Sequence, residues 1–235
     1  MLLEICANSY QSAMNAQEAE AHRIELCTEL SLGGLTPSYG LLNQVMNELT
    51  IPVFVLIRPR SGNFVYSDGE FEIMKQDIRL CKDLGCEGIV SGVLYEDNTI
   101  DYLRTQSLVE LSKPLEFTFH RAFDCIENPI EALEQLIDLG VHRILTSGLE
   151  SSAERGLDLL KQLKEQAKDK ITILPGSGIS AINVTLFKEA GFSEIHTSAS
   201  KVIWKETKKT MFDAIKKESD ITTIKAILNS MKDEA

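Results

Sequence analysis

The sequence predicts an α/β protein, a single (β/α)8 barrel of the TIM-barrel type, and three observations carry that prediction. Short β-branched or apolar runs alternate with segments of helical period from one end to the other. The runs number eight, which is the strand count of a closed parallel barrel. A helix-ending glycine, a polar gap and a strand recur at Gly85, Gly140 and Gly191, at intervals of 55 and 51 residues. Half of each interval, about 27 residues, is the size of one strand plus one helix.

The elements follow in order. The first strand is Leu2–Cys6 and the second Arg23–Cys27, introduced by Glu20-Ala-His-Arg, the same recurring pattern without its glycine. Val53–Arg58 is the third. Phe71, Met74, Ile78 and Cys81, three and four apart, mark the amphipathic helix that leads to the fourth, Gly88–Ser91. Leu115–His120 is the fifth. Asn128-Pro129, a capping residue with proline at the first helical position, opens a helix with Ile130, Leu133, Leu136 and Ile137 on one face. That helix stops at Gly140, before the sixth strand, Arg143–Thr146. Ile171–Leu174 and Glu194–Thr197 complete the set. Residues 201–235 read as a helical segment closing the barrel, its apolar face formed by Met211, Ile215, Ile224, Ile227 and Leu228. No linker interrupts the series, so 1–235 is expected to be one domain. An open doubly wound sheet is the alternative, but no GxGxxG follows the first strand.

Composition narrows the function. The 235 residues carry 24 Lys and Arg against 35 Asp and Glu, a net charge of −11, which argues against nucleic acid or an anionic membrane as partner. The last 35 residues hold eight Lys against six acids, so the first 200 carry −13. No apolar run reaches the roughly 20 residues of a membrane span. The amino-terminal residues lack a signal peptide's basic region and cleavage site, so a cytoplasmic location is expected. Five cysteines, Cys6, Cys27, Cys81, Cys86 and Cys125, are sparse, odd in number and without CxxC spacing, so reduced thiols are expected.

In such a barrel the chemistry lies at the carboxyl ends of the strands. Glu4-Ile-Cys6 and Glu25-Leu-Cys27 end the first two strands, and residues two apart share a face. If Glu and Cys face inward, two carboxylates and two thiols enter one mouth; the plainer reading pairs the carboxylates with buried arginines. The third strand ends in Arg58-Pro-Arg60, two guanidinium forks suited to carboxylate or phosphate. The fifth places Phe119 under the helices and His120 in the mouth, with Asp124 expected to orient the ring. After the seventh and eighth strands, Gly176-Ser-Gly178 and His196-Thr-Ser198 form a candidate anion cradle, backed by a helix N-terminus. His22 and His142 lie at the amino ends, the stability face.

Several of these segments resemble the CutC family of copper homeostasis proteins: Arg23-Ile-Glu-Leu-Cys, Gly33-Gly-Leu-Thr-Pro-Ser-Tyr-Gly40, Ile57-Arg-Pro-Arg60, Phe64-Val-Tyr-Ser-Asp68, Thr118-Phe-His-Arg-Ala-Phe-Asp124 and Pro175-Gly-Ser-Gly178. The resemblance runs from Met1 to about Ser200. It implies a cytoplasmic (β/α)8 barrel, homo-oligomeric as a dimer or tetramer, with Cys6 and Cys27 as Cu(I) ligands. Leu56 stands where the family has Met, and Ser177 where it has Gly.

Two functions are therefore expected to compete. One is Cu(I) binding through Cys6 and Cys27, soft donors beside two hard carboxylates. The other is an enzyme acting on a small phosphorylated or carboxylated metabolite. In it Glu4, Glu25, Arg58, Arg60, His120 and Asp124 would be catalytic, while Gly176, Gly178, Ser198, His196 and Arg121 would hold the anion.

Overall fold

The computed structural model describes residues 1–205 and 215–232. Eight parallel strands form the sheet: β1 (Leu2–Ala7), β2 (Arg23–Leu26), β3 (Val53–Leu56), β4 (Gly88–Ser91), β5 (Glu116–Phe119), β6 (Arg143–Thr146), β7 (Thr172–Pro175) and β8 (Glu194–Thr197). The spatial order β7-β6-β5-β4-β3-β2-β1-β8 is the sequence order wrapped round once. A single parallel bridge, Gly176 to His196, joins the two ends and closes the barrel. Seven helices alternate with the strands: α1 (Tyr10–Glu18), α2 (Tyr39–Glu48), α3 (Asp68–Asp83), α4 (Tyr102–Ser112), α5 (Pro129–Asp138), α6 (Leu157–Ala167) and α7 (Val184–Glu189).

The recurring glycine pattern has a local cause. Cys86 N–H donates to Cys81 O and Gly85 N–H to Lys82 O, the paired bonds that end a helix through one left-handed residue. The same pair of bonds ends α5 at Gly140 and α7 at Gly191, with φ of +80°, +72° and +74° at the three glycines. The fourth copy ends α1 on Glu20, at φ +65°. Each stop turns the chain directly into an even-numbered strand. His22 and His142 follow two of these stops, and their Nδ1 atoms accept the N–H of Leu3 and of Phe117, 3.0 Å in each case. Both histidines brace the amino ends of strands.

Strand alternation separates two interiors. Leu3, Ile5, Ile24, Leu26, Ile89, Phe117, Phe119 and Ile144 face the helices and build the main core. Cys6, Cys27, Phe54, Leu56 and Val90 form a second apolar cluster inside the barrel. Beneath it lies a charged floor. Arg23 bonds Glu4 and Glu194 (2.6 Å to the latter), and Arg143 bonds Glu194 (2.8 Å) and Glu116. The Phe54 ring takes both guanidiniums, 4.5 Å from Arg23 and 5.2 Å from Arg143.

The chain after β8 departs from the expected helical cover. Strands β9 (Ser200–Lys205) and β10 (Ile215–Ser219) form an antiparallel hairpin, and only then does α8 (Ile221–Met231) begin. The hairpin is anchored on α1, where Asn15 donates to Ser219 O and Ser219 N–H to Ser12 Oγ. Ile224 and Ile227 are buried and Leu228 packs on the core, as a cover requires, but Ile215 is exposed on β10. Met211 lies outside the described residues. Val202, Ile203 and Trp204 are β-formers, and their pull toward a strand outweighs the helical spacing of the later residues.

Candidate functional site

The strand ends open into a cavity of about 760 Å³. Cys6, Glu25, Leu56, Arg58, Phe64, His120, Arg121, Asp124, Ser177, Gly178, His196 and Ser198 all contribute to its wall. Most of the residues that the sequence singles out therefore meet in one mouth.

One wall carries the thiols. Cys6 Sγ, on β1, lies 3.6 Å from the Sγ of Cys27, the residue just past the end of β2, and both are buried. The hydrogen bond to Cys27, and then burial, push the Cys6 thiol well above its ordinary range. His196, on β8 beside β1, has its Nδ1 2.8 Å from Glu4 Oε1 and its ring near Cys6. Desolvation opposes the charge on this ring, yet Cys6, Glu4 and Glu25 together raise it well above the usual histidine value.

The two glutamates have opposite fates. Glu4 divides its carboxylate between Arg23 on one oxygen and His196 on the other. Although burial alone would raise its pKa, these partners bring it down to about 2. The plain reading of a carboxylate paired with a buried arginine thus holds for Glu4. It fails for Glu25, whose Oε2 has no hydrogen-bond partner and lies 3.9 Å from His196 Nδ1. Desolvation pushes Glu25 up to about 7. Glu4, Glu25 and His196 also lie close enough together to hold a metal ion between them.

On the opposite wall, His120 is buried and its Nδ1 accepts the Ala122 N–H at 3.2 Å. Asp124 does not reach that ring, contrary to expectation. Its carboxylate accepts from Thr146, from Ser147 N–H and Oγ, and from Leu149 N–H, and pairs with Arg121 at 2.7 Å. A tight 3-10 turn over Arg121–Cys125 swings Asp124 toward β6. Arg58 and Arg60 also part company. Arg58 stays in the mouth, while Arg60 pairs with Glu70 at 2.6 Å, donates to Val65 O and stacks on Tyr66, away from the cavity. Pro59 turns the chain between them.

Of the glycine turn after β7, Ser177 (φ +84°) and Gly178 line the mouth, whereas Gly176 is taken up by its bridge to His196. The expected helix behind the cradle does not follow β8, which runs on into the hairpin. His196, read from sequence as an anion ligand, faces carboxylates instead. Phe64, Ile179 and Ser180 line the cavity as well, on loops whose sequence gives no periodic signal of it. The charged floor carries no motif either.

The family model described as the CutC family matches residues 1–201. The chain belongs to the CutC family. The human protein named copper homeostasis protein cutC homolog is 52% identical over 199 residues, 84% of this chain and 73% of its own. A CutC family protein of Photorhabdus laumondii is 49% identical over 201 residues, covering 86% and 81%. A solved CutC structure from Streptococcus agalactiae superposes with a TM-score of 0.79 at 35% identity, over 84% of this chain and 98% of that one. The CutC match thus takes in the whole barrel and its mouth, and ends where the hairpin begins.

Proposed function

We propose that this CutC protein binds Cu(I) as cargo at the barrel mouth, between Cys6 and Cys27, with His196 as the third donor. The observation that carries the reading is the thiol pair, 3.6 Å apart and flanked by a histidine whose Nδ1 is already engaged. That separation is shorter than two metal–thiolate bonds of about 2.3 Å, so an ion held by both sulfurs sits off the line between them and has room for another ligand. Soft thiolates and imidazole suit Cu(I). Glu4, a hard donor, stands behind the ligands: it holds Nδ1–H, so that once the charged ring gives up its other proton Nε2 is left to the metal, as carboxylates behind ligating histidines do. A reducing compartment such as the cytoplasm keeps both thiols available. The apolar strip of Val202, Ile203, Trp204 and Ile215 supports association of copies.

Anaerobic Cu(I) titration against a chromogenic chelator tests the proposal. The wild type should withdraw one equivalent of copper, and Cys6→Ser/Cys27→Ser should withdraw none. Equal binding by both proteins would overturn it.

A further inference from the structure

Half of the mouth has no part in holding copper, and it carries a charge without a counter-charge. Arg58 is 4% exposed, and among the described residues no carboxylate pairs with it. Its guanidinium is fixed instead by the carbonyls of Leu32, Gly34 and Gly62 at 2.8, 2.9 and 2.8 Å, and it lies over the Phe64 ring at 5.0 Å. A buried cation held only by neutral carbonyls is an expensive arrangement unless an anion joins it.

His120 packs on the other side of Phe64, ring to ring at 4.8 Å. It is 5% exposed, and its Nε2 has no partner. Since Nδ1 accepts from Ala122, the neutral ring carries its proton on Nε2, which leaves a buried donor with nothing to donate to. Burial and the nearby Arg58 charge keep the ring neutral, with a pKa lowered to about 3, so the donor persists across the physiological range. The ring's seat is built for it: a Cβ on Gly92 would stand 2.7 Å from His120 Nδ1. Across the cavity, Glu25 Oε2 is a buried acceptor without a donor.

We infer that the mouth is also a binding site for a small hydroxylated molecule bearing a carboxylate or phosphate. Its oxyanion lies against Arg58 and His120, and a hydroxyl reaches Glu25. A cavity of about 760 Å³ admits such a molecule, and neither Arg58 nor His120 is among the proposed copper donors. The site therefore stands whether or not copper binds.

The test uses copper-free protein with 15N-labelled histidine. D-glycerate and glycerol 3-phosphate distinguish the two oxyanions, with glycerol as the uncharged control. Either acid should shift the His120 Nε2 resonance saturably, and the tighter of the two identifies the group recognised; glycerol should not. His120→Phe removes the donor and should weaken binding, read by thermal shift, about tenfold. Gly92→Ala displaces the ring and should weaken it in the same direction. Cys27→Ser, a residue outside the cavity wall, should keep anion binding while losing copper, so the two readings fail separately. No saturable shift with either acid, or an equal shift with glycerol, would overturn the inference.

Discussion

Replacing Glu25 by Gln tests the electrostatics of the mouth directly, because it removes a buried carboxylate whose Oε2 has no hydrogen-bond partner. Glu25 titrates near 7 in the folded protein and near its ordinary 4.5 when exposed. Between those values the folded state holds a proton that the unfolded state has lost, so stability falls as pH rises through this window. At roughly 1.4 kcal/mol per pH unit, the separation corresponds to about 3 kcal/mol once Glu25 is fully ionised. Gln has nearly the same shape as the protonated side chain. Below about pH 4.5 the variant and the wild type should therefore be alike, and above about pH 7 the variant should be more stable by about 3 kcal/mol. Urea unfolding of the copper-free proteins across this range, followed by circular dichroism, reads the difference. A flat difference would refute the reasoning, and so would a wild type that gains on the variant as pH rises.

The other predictions address separate parts of the molecule. Arg23→Met leaves Glu4 and Glu194 facing each other in the floor and should cost about 3–5 kcal/mol in the same unfolding assay. Glu20→Gly places glycine at a left-handed position already occupied by glycine in three equivalent turns, and should raise stability by up to about 1 kcal/mol, the relieved left-handed strain less the entropy glycine adds to the unfolded chain. His120 is held below its ordinary 6.5, so its contribution to stability is complete above about pH 6.5 and is lost as pH falls toward 3; His120→Phe should flatten that acid limb. The raised Cys6 thiol must release its proton to bind metal, so Cu(I) affinity should increase with pH in chelator competition. Glu4→Gln frees the His196 ring and should weaken copper binding about 10- to 100-fold.

The barrel was legible because its cues are local. Period, caps and the four helix stops act within a few residues of where they are written, and the expected strands agree with the observed ones to within a residue or two at each end. The members of the mouth were legible for a related reason: alternation along a strand fixes which side chains face inward, and the carboxyl ends converge. Their partners were not. Asp124 finds Ser147 rather than His120, and Arg60 finds Glu70 rather than the cavity, because loop paths after β3 and β5 decide those bonds. The hairpin was hidden because Met211 and Ile215, four apart in the sequence, also fit a helical spacing, and only the strand-forming run at Val202–Trp204 argued otherwise.

His196 occupies two positions at once. It is the β8 member of the lone bridge to Gly176 that closes the barrel, and it is the donor nearest the thiols. The β7–β8 seam has no ladder of its own to lend it strength. An ion held by Cys6, Cys27 and His196 would pin β8 from its β1 side, where a ladder already holds it, and so would steady the strand that carries one half of that seam. Slower amide exchange at Gly176 and along β8 would then report whether the proposed cargo is bound.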